Sequence, residues 1–99
     1  MSEIRIESQE TGRYLLVGEL SFNTVAGISD DFDKIVRDND NIVLDLQGVT
    51  RTDSAGLALL IDWMRAAHHH DKRLVFRNMP SQMLAVAKVS DLDDILPLE

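Results

Sequence analysis

The residues with the most chemistry to offer lie in one run, Thr52-Asp53-Ser54-Ala55-Gly56. A hydroxyl, a carboxylate and a glycine within five positions admit two kinds of chemistry. The first is nucleophilic. The run departs from a Gly-x-Ser-x-Gly elbow by having Thr52 in place of the first glycine, and the elbow's strained turn needs small residues on both sides of its serine. No histidine is placed by sequence order to serve as the base, and 99 residues are too few for a hydrolase of that type. The second is electrostatic. Ser54 stands where a helix N-cap belongs, and its side-chain oxygen there would accept from a first-turn N–H, an interaction worth ~1 kcal/mol. The same N–H groups and the helix dipole would stabilise a phosphate on Ser54. The ordinary cap is the simpler reading of the residue by itself. Gly56 leaves backbone uncovered in the first helical turn, so another surface can approach it closely.

Other reactive residue types fail on geometry. In His68-His69-His70 consecutive helical side chains point about 100° apart and cannot converge on one ion. Two helical histidines chelate at i, i+4 spacing, so the run reads as a solvated helix end and no metal is expected. Asp91, Asp93 and Asp94 lack the remaining ligands of a calcium loop and read as a wet turn. There is no Gly-x4-Gly-Lys phosphate loop, so the chain itself should not hydrolyse ATP, and no cofactor motif appears. The absence of cysteine removes disulfides, Cys-ligated zinc and thiol nucleophiles, and fits a reducing compartment.

A formal net charge of −7 repels phosphate backbones and anionic lipid, and the basic residues form no stripe, which disfavours nucleic acid as a partner. The N-terminus shows no signal-peptide pattern, and the longest apolar run, Leu57 to Ile61, is far short of the ~20 residues that span a bilayer. Direct membrane insertion is not expected. The length fits one domain over residues 1–99, burying roughly two-thirds of its unfolded surface.

The elements that must position the Ser54 segment follow from periodicity. Ile4 to Glu7 alternates as a short strand, Thr11-Gly12 reads as a turn, and Tyr14 to Val17 forms a second strand ended by Gly18, together a hairpin. Val25, Ile28, Phe32, Ile35 and Val36 follow helical spacing, with Asn23 or Thr24 as cap and Asp38 to Asn41 as stop. Ile42 to Leu46 is a compact apolar run, as expected of a central strand covered on both faces. Gln47 to Asp53 reads as a loop, Ser54 to His69 as a strong helix, Arg73 to Arg77 as a strand, and Pro80-Ser81 as the opening of a helix to about Val89. Ile95 and Leu96 suggest a last short strand. Strands separated by helices imply parallel neighbours, and the first hairpin makes the sheet mixed.

The helix after Ser54 carries a wide apolar arc. Leu57, Leu60, Ile61, Met64 and Ala67 form one stripe, and Leu59, Trp63 and Ala66 extend it sideways to about twice the ~100° that one packing layer requires. The extra flank either packs on a neighbouring helix of the same domain or, with Leu59 and Trp63 as anchors, meets a partner. The sequence leaves both open.

Leu44-Asp45-Leu46, then Val49, then Asp53-Ser54-Ala55-Gly56-Leu57, closely resembles the signature of STAS domains, and the resemblance covers nearly the whole chain in element order. STAS is the fold of bacterial anti-sigma factor antagonists and of the cytoplasmic tails of sulfate transporters. The resemblance implies an α/β fold, a small mixed, largely parallel β-sheet packed with three to four helices. In the antagonists the serine matching Ser54 is phosphorylated by a partner kinase, and the phosphate controls binding. Gly18-Glu19-Leu20-Ser21-Phe22-Asn23-Thr24 and Gly56 to Arg65 are similar, more narrowly, to the MlaB-type STAS subunits of ABC transporters that move phospholipids between the membranes of Gram-negative bacteria. In that group the position of Ser54 holds Ser or Thr, and phosphorylation is not its established role. Antagonists more often carry a second serine where this chain has Ala55; that departure and Trp63 point towards the transporter group.

This narrower resemblance implies a non-catalytic cytoplasmic subunit, peripheral to the inner membrane, that binds and supports an MlaF-like ATPase in complex with its permease. Thr52, Asp53, Ser54, Ala55, Gly56, Leu59 and Trp63 would then be partner-binding or regulatory. The alternative it leaves is an anti-sigma factor antagonist whose partners are a serine kinase and an anti-sigma factor, switched by phosphorylation of Ser54.

Overall fold

A computed structural model describes residues 3–99. Period-2 and helical segments alternate as the sequence implies: β1 (Ile4–Ser8), β2 (Arg13–Leu20), a 3-10 turn (Val25–Gly27), α1 (Asp31–Asp38), β3 (Asn41–Thr52), α2 (Ser54–His69), β4 (Arg73–Arg77) and α3 (Ser81–Val89). The strands lie in the order β1-β2-β3-β4. β1 pairs antiparallel with β2, while β2, β3 and β4 run parallel. The mixed sheet and its helices agree with the fold that the sequence implies. Among the described residues no helix is long and apolar enough to cross a membrane.

Both parallel crossovers step the same way across the sheet, and α2 touches both α1 and α3, so the helices share one face. That corrects the expectation of a β3 covered on both sides. Ile42, Leu44 and Leu46 are buried under the helices, whereas Val43 and Asp45 on the other face are only half-buried. The core joins this inner face, including Leu16, Leu44 and Phe76, to Phe32, Leu60 and Met83 from the helices.

Five other local expectations change. β2 does not end at Gly18 but continues to Leu20, with Gly18 at φ 116°, where a Cβ would lie 2.2 Å from the Glu3 carbonyl oxygen. The expected loop from Gln47 to Asp53 is strand as far as Thr52. Its pairing with β2 survives through two register shifts, between Leu15 and Val17 and between Gly18 and Glu19, and such bulges erase the alternation by which a strand is recognised. The helical spacing from Val25 to Val36 belongs to two pieces, a 3-10 turn in which Val25 is half-buried and α1 in which Phe32, Ile35 and Val36 are buried; Ile28 at φ −126° separates them. Thr24 makes no side-chain cap there, and its hydroxyl donates instead to the Glu19 carbonyl at 2.6 Å. Ile95 and Leu96 form no strand. The tail makes a single parallel bridge, Phe76 to Leu98, with the Phe76 N–H donating to the Pro97 carbonyl at 2.8 Å.

Candidate partner-binding site at the start of α2

β3 reaches Thr52 and α2 begins at Ser54, so one residue must turn the chain. Asp53 is that residue, and it, rather than Ser54, is the N-cap. Its extended backbone (φ −146°, ψ −170°) lets Oδ1 accept from the N–H groups of Ala55 at 3.0 Å and Gly56 at 3.2 Å. The other oxygen, Oδ2, accepts from the N–H of Phe22 at 3.1 Å, 31 residues away. One carboxylate therefore caps α2 and ties to it the loop that follows β2. Ser54 is the first helical residue; its side chain is exposed and makes no hydrogen bond among the described residues.

That loop is held by its own polar network. The Ser21 hydroxyl donates to Glu19 Oε2 at 2.5 Å, and Thr24 Oγ1 accepts from the Ser21 N–H at 3.0 Å. The N–H groups of Thr24 and Val25 both bond the Ser21 carbonyl, at 2.9 and 3.0 Å. With Ser21 and Thr24 buried, the intervening Phe22 is turned outward and is 79% exposed. A fixed backbone beneath an exposed aromatic ring makes a pre-ordered contact point. Sequence reading did not single out Phe22. The available signal was a lone aromatic between Ser21 and Asn23 inside a polar turn.

The other residues of the run separate. Ala55 is half-buried, while Thr52 is buried. Gly56 is also buried, and the surface that comes close to it belongs to this chain. A Cβ there would lie 2.4 Å from the Leu20 carbonyl oxygen and 2.6 Å from Thr52 Oγ1. The glycine is needed for α2 to seat on the end of β2.

Leu59 and Trp63 are core residues, which closes the question the sequence left open. Trp63 is 3% exposed, stacks on Phe32 with ring centroids 4.9 Å apart, and donates from Nε1 to the Ser29 carbonyl at 3.2 Å. The wide apolar arc of α2 is used internally, because the 3-10 turn and α1 pack on its flank while the sheet takes the main stripe. Beside that flank the surface keeps a shallow groove of about 380 Å³, bordered by Val25, Ala26, Ala55, Ala58 and Asp62. Phe22, Ser54, Ala55 and Ala58 thus make a small-residue and aromatic surface around the start of α2.

Nucleophilic chemistry finds no support in this geometry. Ser54 is not in the left-handed region, and His68, His69 and His70 lie about 20 Å away at the other end of α2. His69 and His70 meet edge to face, and among the described residues no three His, Asp or Glu side chains gather as a metal-ligand set.

Comparison with known proteins agrees with this architecture. A family model described as "Mlab, STAS domain" matches residues 7–97. Among solved structures, the chain is similar to an anti-sigma-factor antagonist (STAS) domain protein from Planctomyces limnophilus, with TM-score 0.74 and 17% identity over 97% of this chain and 88% of that one. It is similar to the Bacillus cell fate determinant SpoIIAA in its phosphorylated form, with TM-score 0.70 and 19% identity over 97% and 90% of the two chains. An anti-sigma factor antagonist from Mycobacterium paratuberculosis gives TM-score 0.71 and 17% identity over 99% and 85%. These likenesses establish the fold. No curated protein matches the sequence.

Proposed function

The chain belongs to the STAS domain family, by a match to the MlaB-type family model over residues 7–97, and on that premise we propose that it is the non-catalytic STAS subunit of a phospholipid-transporting ABC complex. In this reading it sits on the cytoplasmic face of the inner membrane. There it binds and supports the ATPase that, with its permease, moves phospholipids between the inner and outer membranes. The contact surface is the start of α2: Ser54 and Ala55, with Phe22 added, and with Asp53 positioning all three. Phe22 carries the docking argument. An aromatic ring left 79% exposed on a pinned loop, beside an exposed hydroxyl, suits protein contact better than catalysis.

The antagonist alternative requires a phosphate on Ser54. The Asp53 carboxylate that caps Ala55 and Gly56 belongs to the signature the two groups share and does not separate them. Ala55, where antagonists more often carry a second serine, favours the transporter reading. The test is calorimetric titration of the chain into the transporter ATPase from the same organism. We expect a stoichiometric complex, weakened at least tenfold by Phe22→Ser and by Ser54→Asp, with the melting temperature of each free variant nearly unchanged. No complex with the ATPase, together with phosphoserine at Ser54 in protein isolated from cells, would replace this reading with the antagonist one.

A further inference from the structure

A second surface lies at the opposite end of α2, about 20 Å from Ser54 along the helix, and does not depend on the reading above. It is an open groove of about 930 Å³ between the last turns of α2, the start of β4 and the C-terminal segment. Its floor is apolar: Met64, Leu74, Pro97 and Ile95, the last 51% exposed. Its walls carry Arg65, Lys72 and Arg73, three of the ten Lys and Arg residues of a chain whose net charge is −7. One acidic residue, Asp71, stands among them, and His68 and His69 complete the α2 side. Lys72 is engaged with Asp40 at 2.8 Å, but Arg65 and Arg73 have no ion-pair partner among the described residues.

Backbone at the floor of the groove is also incompletely paired. Among the described residues β4 is the last strand of the sheet, bonded to β3 along one side and to the tail only through Phe76 on the other. The Arg73 N–H bonds the Asp40 carbonyl on the β3 side, whereas the Phe76 N–H and C=O turn outward and are taken by Pro97 and Glu99 of the tail. In a parallel ladder alternate residues face opposite neighbours, so Leu74 turns outward like Phe76. Among the described residues, no backbone group of the tail bonds Leu74. The outward N–H and C=O of Leu74 are thus left to pair with a docked chain, between the Lys72 N–H held by Ala67 and Phe76 held by the tail.

We propose that this groove docks an extended acidic segment of a partner protein beside the start of β4. Its backbone pairs with Leu74. Alternate apolar side chains settle on Met64 and Ile95, and its carboxylates meet Arg65 and Arg73. A bilayer surface is a poorer fit, because it is flat and cannot enter the groove, and it offers no backbone to satisfy Leu74.

The probe is a fluorescently labelled octapeptide of alternating glutamate and valine, followed by anisotropy with the full chain. We expect saturable binding that falls as salt rises, slower hydrogen exchange at the Leu74 amide, and at least tenfold weaker binding to the Arg65→Glu, Arg73→Glu double variant. Ile95→Ser, checked for folding by circular dichroism, should also weaken it. Ser54→Asp should leave it unchanged, which separates this surface from the one at the start of α2. The proposal is overturned if the peptide does not bind saturably, if a lysine–valine counterpart binds equally well, or if the double variant binds as the parent does. Binding to phosphatidylglycerol vesicles in place of the peptide would overturn it as well.

Discussion

Replacing Asp53 by alanine should destabilise the domain more than any change at the neighbouring Ser54, although both residues are exposed. Asp53→Ala removes the acceptor of three backbone N–H groups, those of Ala55, Gly56 and Phe22. Loss of an N-cap costs ~1 kcal/mol, within a range of about 0.5–2. The Phe22 bond has a charged acceptor, which in a protected site is worth about 1.5–3 kcal/mol, but here water can replace it and about 1 is the better figure. The sum is about 2 kcal/mol, or about 8–16 °C in melting temperature for a domain of this length. Ser54→Ala removes no hydrogen bond and introduces a better helix former, so its effect should stay within ~0.5 kcal/mol. Asp53→Asn keeps an oxygen for the cap but turns an NH2 towards Phe22, so its loss should fall between the two. Urea denaturation of the three variants gives the order, and hydrogen exchange at the Phe22 amide should quicken in both Asp53 variants. A Ser54→Ala loss equal to that of Asp53→Ala would refute the assignment of the cap.

Trp63→Ala should cost ~3–5 kcal/mol, because it empties the stack on Phe32 and strands the Ser29 carbonyl; a melting curve close to that of the parent would contradict a core role. The Asp40 carboxyl is held below its ordinary range by a hydrogen bond from Lys72 and then by the lysine's charge. Lys72→Met should let it rise towards the ordinary value, read by NMR titration of the carboxyl carbon. Because the folded value is the depressed one, the benefit is present above the unfolded pKa and is lost as pH falls through the folded value, so parent and variant should converge in stability in strong acid.

The legible parts of this protein are those whose causes are local. The 3.6-residue spacing of Leu57, Leu60, Ile61 and Met64 sets α2, and its limits at Ser54 and His69 are the ones observed. The short apolar run Leu74-Val75-Phe76 between Arg73 and Arg77 likewise sets β4. The signature from Leu44 to Leu57 was enough for the family and the mixed sheet, since strand and helix order dictates parallel neighbours. Other features needed residues far apart in sequence to meet. β3 continues to Thr52 because β2 is there to pair with it through two bulges. That extension leaves only Asp53 to turn the chain, and so moves the cap one place from Ser54. The amide of Phe22 then completes the carboxylate's bonding, and its ring is left exposed beside Ser54. Trp63 could not be assigned from its own helix, because its neighbours, Phe32 and Ser29, are more than 30 residues away. Periodicity records which face of an element is apolar; what covers that face is decided by the packing of other elements against it.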